Sequence, residues 1–444
     1  MPEYTNQLML FKELSGKKVQ VDFNGGQISS DAGVLFLREI ENKIGLIQRM
    51  ASIIPEWRHQ GYIKHHITHL LTQRVFQIAC GYEDGNDSNT LREDSLFKLG
   101  CNKHIDADTT LASQPTMCRF ENAPSRTILY RMAQGLVEHF IDSYKKPPEA
   151  ILLDIDETDD PTYGSQQMSL FNAYYDTYCY QPIHIYEGSS GKLITSILRP
   201  GKRPTGKEIK MIVSRIVKKI KTSWPNTGIL FRGDAHYSSP EVFQCCEHYN
   251  IKFVLGLKGN AVLLKKAQAL IETAKDLYRY RQEPIKIYGE FDYQAGSWSQ
   301  PYRVIVKVEC NDKGLNIRFI VTNLMHSFRQ FVYETIYCGR GAMELMIKEL
   351  KNHLFSDRTS CSSFQANQFR LFLHSMAYVL LHAFREKYLA GTELAKAQFD
   401  TIRLRLLKIG ARIIPLATKI KIHLSTGCPI KSTFYQIYIS LCSP

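Results

Sequence analysis

From Ala150 the chain alternates strictly. ILLDID puts Leu152, Asp154 and Asp156 on one face of a strand, and Ile151, Leu153 and Ile155 on the other. Two more strand-like runs follow, NAYYDTYCYQPIHIYEG and KLITSILRP. A basic helix over 206–221 then leads to the strand GILFRGD, which ends in Asp234. SPEVFQCCEHYN reads as a helix and IKFVLGLKG as a fifth strand. Three meandering strands followed by helix-linked strands predict an α/β fold, a mixed sheet with helices on its faces.

The rest of the 444 residues is organised around that pattern. Residues 1–145 read as mostly helical. KKVQVDF is a short β-like opening, and Ser30 or Asp31 is placed to cap the helix that follows. The catalytic core begins over 146–259. Residues 260–335 carry a helix and three strand-like runs, KIYGEFDYQ, YRVIVKVEC and LNIRFIVTNL, read as a β-rich insertion whose last strand either rejoins the central sheet or stays with the inserted piece. Residues 336–390 complete the core, and 391–444 form a basic C-terminal region.

Charge narrows the class of partner. The net charge is +13, which favours an anionic partner and, for a large soluble chain, nucleic acid. Ten Lys or Arg stand against the single acid Glu208 between Lys192 and Lys221, and no acid follows Asp400. Both segments are read as phosphate contacts, with solvated faces as the alternative. No apolar run is long enough to span a membrane, and Glu3 and Asn6 interrupt any signal peptide, so the expected location is the cytoplasm. The eleven cysteines contain no CxxC pair, which argues against a zinc ribbon or a disulfide framework. His65 and His69 have the i,i+4 spacing of a metal pair but lack a third ligand, so a structural role is the better reading.

The carboxylates carry the chemistry. Adjacent central strands would bring Asp156 and Asp234 together at the sheet edge, and a helix packed across that edge would add Glu344. Hard oxygen ligands without Cys or His select Mg²⁺ or Mn²⁺, and two such ions support phosphoryl transfer. The competing reading makes both Asp residues helix caps or loop starters. Asp154 is the alternative first acid; Asp156 is preferred because it lies nearer the strand exit. YCGRGAMELMIKELK spaces Tyr337, Arg340, Glu344 and Lys351 at intervals of three, four and seven. On a regular helix of about 100° per residue, Arg340, Glu344 and Lys351 share one face while Met343, Met346, Ile347, Leu350 and Leu354 lie opposite. Gly339 and Gly341 are poor helix formers, so the helix is expected to start near Ala342.

The Tyr-x2-Arg-x3-Glu-x6-Lys pattern resembles that of bacterial insertion-sequence transposases with a DDE active site. LDIDETDDPTYGSQ, FRGDAHYSSPEVFQCCE and NQFRLFLHSMAYVLL are similar to the group called the insertion sequence thirteen-eighty family, as are SDAGVLFLRE and NTLREDSLFKL near the start. The resemblance implies a ribonuclease H-like core interrupted by a β-rich insertion. It implies that Asp156, Asp234 and Glu344 bind divalent metal, that Tyr337, Arg340, Lys351 and the neighbouring Lys348 contact DNA, and that the helical 1–145 region recognises the element's ends; Trp298 is a candidate for stacking on an unpaired base, with a core or turn tryptophan as the better reading. The implied partners are the terminal inverted repeats of the element and target DNA, held by a homodimer. A nuclease of the same fold without strand transfer, or a non-catalytic DNA-binding derivative, are the alternatives.

Overall fold

Burial of one face of a strand requires a partner surface, and the alternation at Ala150 finds one. Ile151, Leu153 and Ile155 are buried with Ile229 and Phe231 beneath the helix Gly206–Ser223, which contributes Ile209, Ile212, Val213, Ile216, Val217 and Ile220. Thr205 and Glu208 start that helix with a reciprocal capping box. The computed structural model describes residues 8–105 and 108–442. They form two units, one running up to Glu121 and resuming at Leu380, the other Asn122–Val379; the division falls inside the long helix Phe364–Tyr388.

The Asn122–Val379 unit is built on eight strands: β1 (Ala150–Glu157), β2 (Ile183–Glu187), β3 (Lys192–Ile197), β4 (Gly228–Gly233), β5 (Lys252–Leu257), β6 (Ile285–Tyr293), β7 (Tyr302–Asn311) and β8 (Gly314–Thr322). Their order is β6-β7-β8-β5-β4-β1-β2-β3. β1, β4 and β5 are parallel neighbours, reached through the crossover helices Gly206–Ser223 and Pro240–His248; every other pairing is antiparallel. This is a mixed α/β architecture with a large mixed sheet.

The last strand of residues 260–335 rejoins the central sheet. Val254–Leu257 of β5 pairs antiparallel with Phe319–Thr322 of β8, so β6, β7 and β8 extend the central sheet. The physical reason is the free edge that β5 would otherwise expose, which β8 covers. Within NAYYDTYCYQPIHIYEG the chain breaks at Gln181 and Pro182. Leu170–Asn172 and Thr177–Tyr180 join Asp160–Pro161 in a separate three-stranded sheet, and only Ile183–Glu187 enters the large one.

The other unit contains the helices Val34–Ile44, Leu46–Ile53 and Ile67–Ala79. The basic tail is folded into it: Ala411–Leu416 pairs with Gln27–Ser29 on one edge and Lys419–Leu424 on the other. So the tail is not a separate region, and the boundary drawn at 145 moves back. The helix Arg126–Asp142 gives Val137, Phe140 and Ile141 to the large sheet's core. Neither Ser30 nor Asp31 caps the first helix. Asp31 is fully buried, 2.8 Å from Lys408 Nζ, and accepts from the Tyr82 hydroxyl at 2.8 Å. His65 and His69 are both pulled down to about 4 by burial, which keeps them neutral. Among the described residues, no helix is long and apolar enough to cross a membrane.

Candidate active site

The polar face of β1 meets the polar face of β4. In the parallel register Arg232 lies beside Asp154. Two residues further along each strand, Asp234 comes level with Asp156 on the same side, at the carboxyl ends of both strands. An irregular helix over 329–353 covers this face. Val332 and Tyr333 pack on Val254, Ile305 and Ile320. The Ile336 carbonyl accepts from Arg232 Nη1 at 2.7 Å, Arg340 Nη1 lies 2.7 Å from Asp156 Oδ2, and Lys351 Nζ lies 2.9 Å from Asp159 Oδ1. The helix therefore runs from β7 and β8 across β4 to the exit of β1.

Asp154 and Asp156 have separate tasks. Asp154 is fully buried, and both its oxygens accept from Arg232, Oδ1 from Nε and Oδ2 from Nη2, each at 2.6 Å. It is an internal ion pair that pins the covering helix through Ile336. Asp156 is only partly covered. Its Oδ1 accepts from the Glu157 amide at 3.1 Å and its Oδ2 faces Arg340. Burial of the carboxyl and the nearby Asp234 charge push Asp156 up to about 6, against the pull of Arg340.

Asp234 does start a loop, as the alternative reading held. Its Oδ1 accepts from the His236 amide at 2.8 Å and caps the turn Ala235–Tyr237. That role leaves Asp234 Oδ2 toward the site, 3.8 Å from His236 Nδ1. Glu157 ties the two acidic termini together. Its Oε1 is 2.8 Å from His236 Nδ1, and its Oε2 accepts from the Tyr237 hydroxyl at 3.0 Å. The hydrogen bond to the Glu157 carboxylate raises the His236 pKa. Sequence reasoning missed Glu157, His236 and Tyr237. The only signal was their adjacency to the two chosen Asp residues.

Gly256 makes the crowding possible. A Cβ there would fall 2.7 Å from the Ala235 nitrogen and 2.7 Å from the Tyr337 hydroxyl. Tyr337 is thus packed against the loop of Asp234, and burial raises its pKa. Lys351 is held by the Asp159 carboxylate and backbone carbonyl and by Thr158 Oγ1 at 3.4 Å. Lys348 is exposed.

Glu344 is the residue the structure does not bring in. It is exposed, one turn beyond Arg340, and has no hydrogen bond or ion pair with a described residue. Among the described residues no three His, Cys, Asp or Glu side chains are grouped closely enough to hold a metal ion. The regular wheel fails for a local reason: Cys338–Gly341, which holds Arg340, is a 3₁₀ turn, Ala342–Lys348, which holds Glu344, is α-helical, and Glu349–His353, which holds Lys351, is a π turn. Changes of winding shift the phase, so Arg340 and Glu344 do not point together. The apolar side holds, with Met343, Ile347, Leu350 and Leu354 buried. Trp298 also needs correction. At 8% exposure its indole packs on Phe243, Tyr293 and Tyr302, so in this structure its faces are not open to a base.

Half of the basic stretch serves the fold. Lys219 pairs with Glu138, Arg199 with Glu208 at 3.0 Å, and Lys221 donates to the Thr227 carbonyl at 2.8 Å. Lys202, Arg203, Lys207, Arg215 and Lys218 remain exposed.

An acid pair at the ends of two parallel strands thus lies beneath a helix that carries a guanidinium to it, in a mixed-sheet α/β protein. The family model described as transposase DDE domain group 1 matches residues 11–443, and the chain belongs to that family. Family membership supports a transposase function. Among solved structures, the chain is similar to the piggyBac transposase synaptic complex with hairpin DNA, at 12% identity and a TM-score of 0.41, over 85% of this chain and 80% of that one. No curated protein matches it.

Proposed function

We infer that this protein cuts DNA at the ends of its own element and joins the freed 3′ ends to target DNA, acting as a homodimer on double-stranded DNA. The observation that carries this reading is the Asp156–Asp234 pair: two carboxylates on one face of adjacent parallel strands, with Arg340 as the cation beside them. The sheet order, three antiparallel strands leading into helix-linked parallel ones, supports a ribonuclease H-like core.

The donor set fits Mg²⁺ or Mn²⁺. It offers hard oxygens only, and the mutual repulsion that raises Asp156 is what a divalent ion would relieve. Asp156 and Asp234 are the ligands in this proposal; Glu344 is kept as the proposed third acid, although in this structure it lies exposed and apart from the pair. Two bound ions would activate the attacking hydroxyl and stabilise the leaving oxygen. The chain's own residues do the remainder. Arg340 neutralises phosphate charge beside the acids, Tyr337 and Lys348 extend the contact, and Lys351 fixes the loop after β1 through Asp159 and faces the same DNA. Glu157 holds the two acid-bearing segments in register.

The test is cleavage of labelled duplexes carrying the DNA that flanks the gene, with and without Mg²⁺. Wild type should nick at the element ends only with the ion. Asp156→Asn, Asp234→Asn and Glu344→Gln should bind the same duplexes yet leave them intact. Cleavage by either Asp variant at the wild-type rate would remove the acid pair from the reaction.

A further inference from the structure

The loop that follows the first acid carries a feature the acid pair does not use. Between Asp160 and Tyr180 the chain forms the small three-stranded sheet, and its outer side is aromatic. Phe171 and Tyr178 are directly opposite each other across two strands, with ring centroids 5.5 Å apart. Tyr174, in the connecting turn, stands edge-on to Tyr175 at 4.9 Å. Exposures are 52% for Phe171, 59% for Tyr178 and 87% for Tyr174. Leaving three aromatic rings in water gives up burial worth a kilocalorie or more each, on the order of 2 kcal/mol for a Phe.

This sheet is firmly held. The Tyr180 hydroxyl donates to the Gln167 carbonyl at 2.7 Å, Thr162 and Ser169 share a hydroxyl hydrogen bond at 2.5 Å, and the Gln167 amide donates to the Ser362 carbonyl at 2.9 Å. The aromatic rings are therefore presented on a rigid support. The sheet also follows directly on the first acid's strand: β1 ends at Glu157, and Asp160–Pro161 opens the small sheet. On its other flank Asn172 Nδ2 donates to the Gly201 carbonyl at 3.1 Å, and the next two residues are the exposed cations Lys202 and Arg203. Arg203 reaches the carbonyl of His236, two residues past Asp234, at 3.4 Å. Exposed rings and exposed cations thus sit on segments that adjoin each other and lead to both acids.

Rings interleaved with cations are the chemistry that binds unpaired nucleotides. Each base stacks on an aromatic face, and the backbone phosphates pair with Lys or Arg. A stacked duplex end offers far fewer free base faces. Resting on the reading of this site as a DNA-cutting centre, we propose that the 160–180 sheet is a single-strand platform: Phe171, Tyr174 and Tyr178 stack on unpaired bases next to the scissile phosphate, while Lys202 and Arg203 hold the adjoining phosphates.

The probe is a short single-stranded oligodeoxynucleotide containing one 2-aminopurine, compared with the same sequence as a blunt duplex. Full-length wild type should bind the single strand and quench the 2-aminopurine. Phe171→Ala, Tyr174→Ala and Tyr178→Ala should each weaken single-strand binding about tenfold, with duplex affinity within about twofold of wild type. Tyr178→Phe should keep both affinity and quenching, because stacking needs the ring and not the hydroxyl. Lys202→Ala and Arg203→Ala should lower the salt dependence of binding. These side chains are exposed, so melting temperatures should not move. Single-strand affinity unchanged in all three alanine variants, or an equal loss for duplex, would overturn the platform. If Asp156→Asn abolishes cleavage while the alanine variants still bind single strands normally, only this inference fails. If wild type cuts nothing yet the stacking pattern holds, the cleavage reading fails instead.

Discussion

Arg340 Nη1 sits 2.7 Å from Asp156 Oδ2, so in the free protein the first acid of the pair is held by a guanidinium. A divalent ion at Asp156 must compete with that pairing. Arg340→Gln should therefore raise the affinity of the DNA-free protein for Mn²⁺, by about tenfold if the charge-assisted hydrogen bond contributes about 1.5 kcal/mol. The same change should weaken binding of duplex DNA. Paramagnetic titration of free Mn²⁺ measures the first effect. An Arg340→Gln protein with wild-type Mn²⁺ affinity would mean the guanidinium does not restrain the carboxylate.

The two acids on β1 should separate by phenotype. Asp154→Ala strands a buried Arg232 and releases the Ile336 anchor, and should cost about 3–5 kcal/mol in urea unfolding. Asp156→Asn keeps the fold, because the carboxylate it replaces is raised and unfavourably charged, but should eliminate cleavage. The reverse pattern would make Asp154 the functional acid.

Gly256→Ala puts a methyl group 2.7 Å from both the Ala235 nitrogen and the Tyr337 hydroxyl. Overpacking of this kind costs about 1–3 kcal/mol, and here it displaces the loop of Asp234. Cleavage should fall at least tenfold. Tyr337→Phe in the same chain removes one of the two clashing atoms and should restore part of the stability loss. Stability that is no better in the double variant would show that the Ala235 side takes all the strain.

Glu41 predicts a pH effect remote from the acids. Its Oε1 accepts from the Ile47 and Gln48 amides at 2.7 and 3.2 Å, and burial raises its pKa to about 7. A carboxyl raised in the folded state stabilises fully below its unfolded value of 4.5, and that stabilisation is lost as pH rises through about 7. Between pH 5 and 8 the loss is on the order of 3 kcal/mol. Glu41→Gln should flatten that part of the stability curve. An unchanged slope in chemical denaturation across this range would exclude the carboxyl as its source.

The periodicity of ILLDID, GILFRGD and IKFVLGLKG was enough to place three central strands. Strand alternation is a local property, dictated by which side chains can be buried, so it is legible in the letters. The pairing partners of β8 and of Ala411–Leu416 were not legible, because hydrogen-bond ladders between distant segments use backbone groups that every residue carries. The same limit explains Trp298: an aromatic ring reads alike whether it fills a core or meets solvent, and only packing on Phe243 and Tyr302 decided it.

What the sequence alone determined is that Asp156 and Asp234 stand at or just past the ends of two strands, since alternation and the polar break after each are local properties. What tertiary structure decided is which cations and acids approach that pair. A helix of uniform winding would aim Arg340 and Glu344 together, but the winding changes from 3₁₀ to α between them, and the fold sets Arg340 onto Asp156 and leaves Glu344 exposed. Winding of that kind is fixed by how the helix packs across the sheet, through Val332, Tyr333 and the Arg232–Ile336 contact, and such packing exists only once the chain has folded.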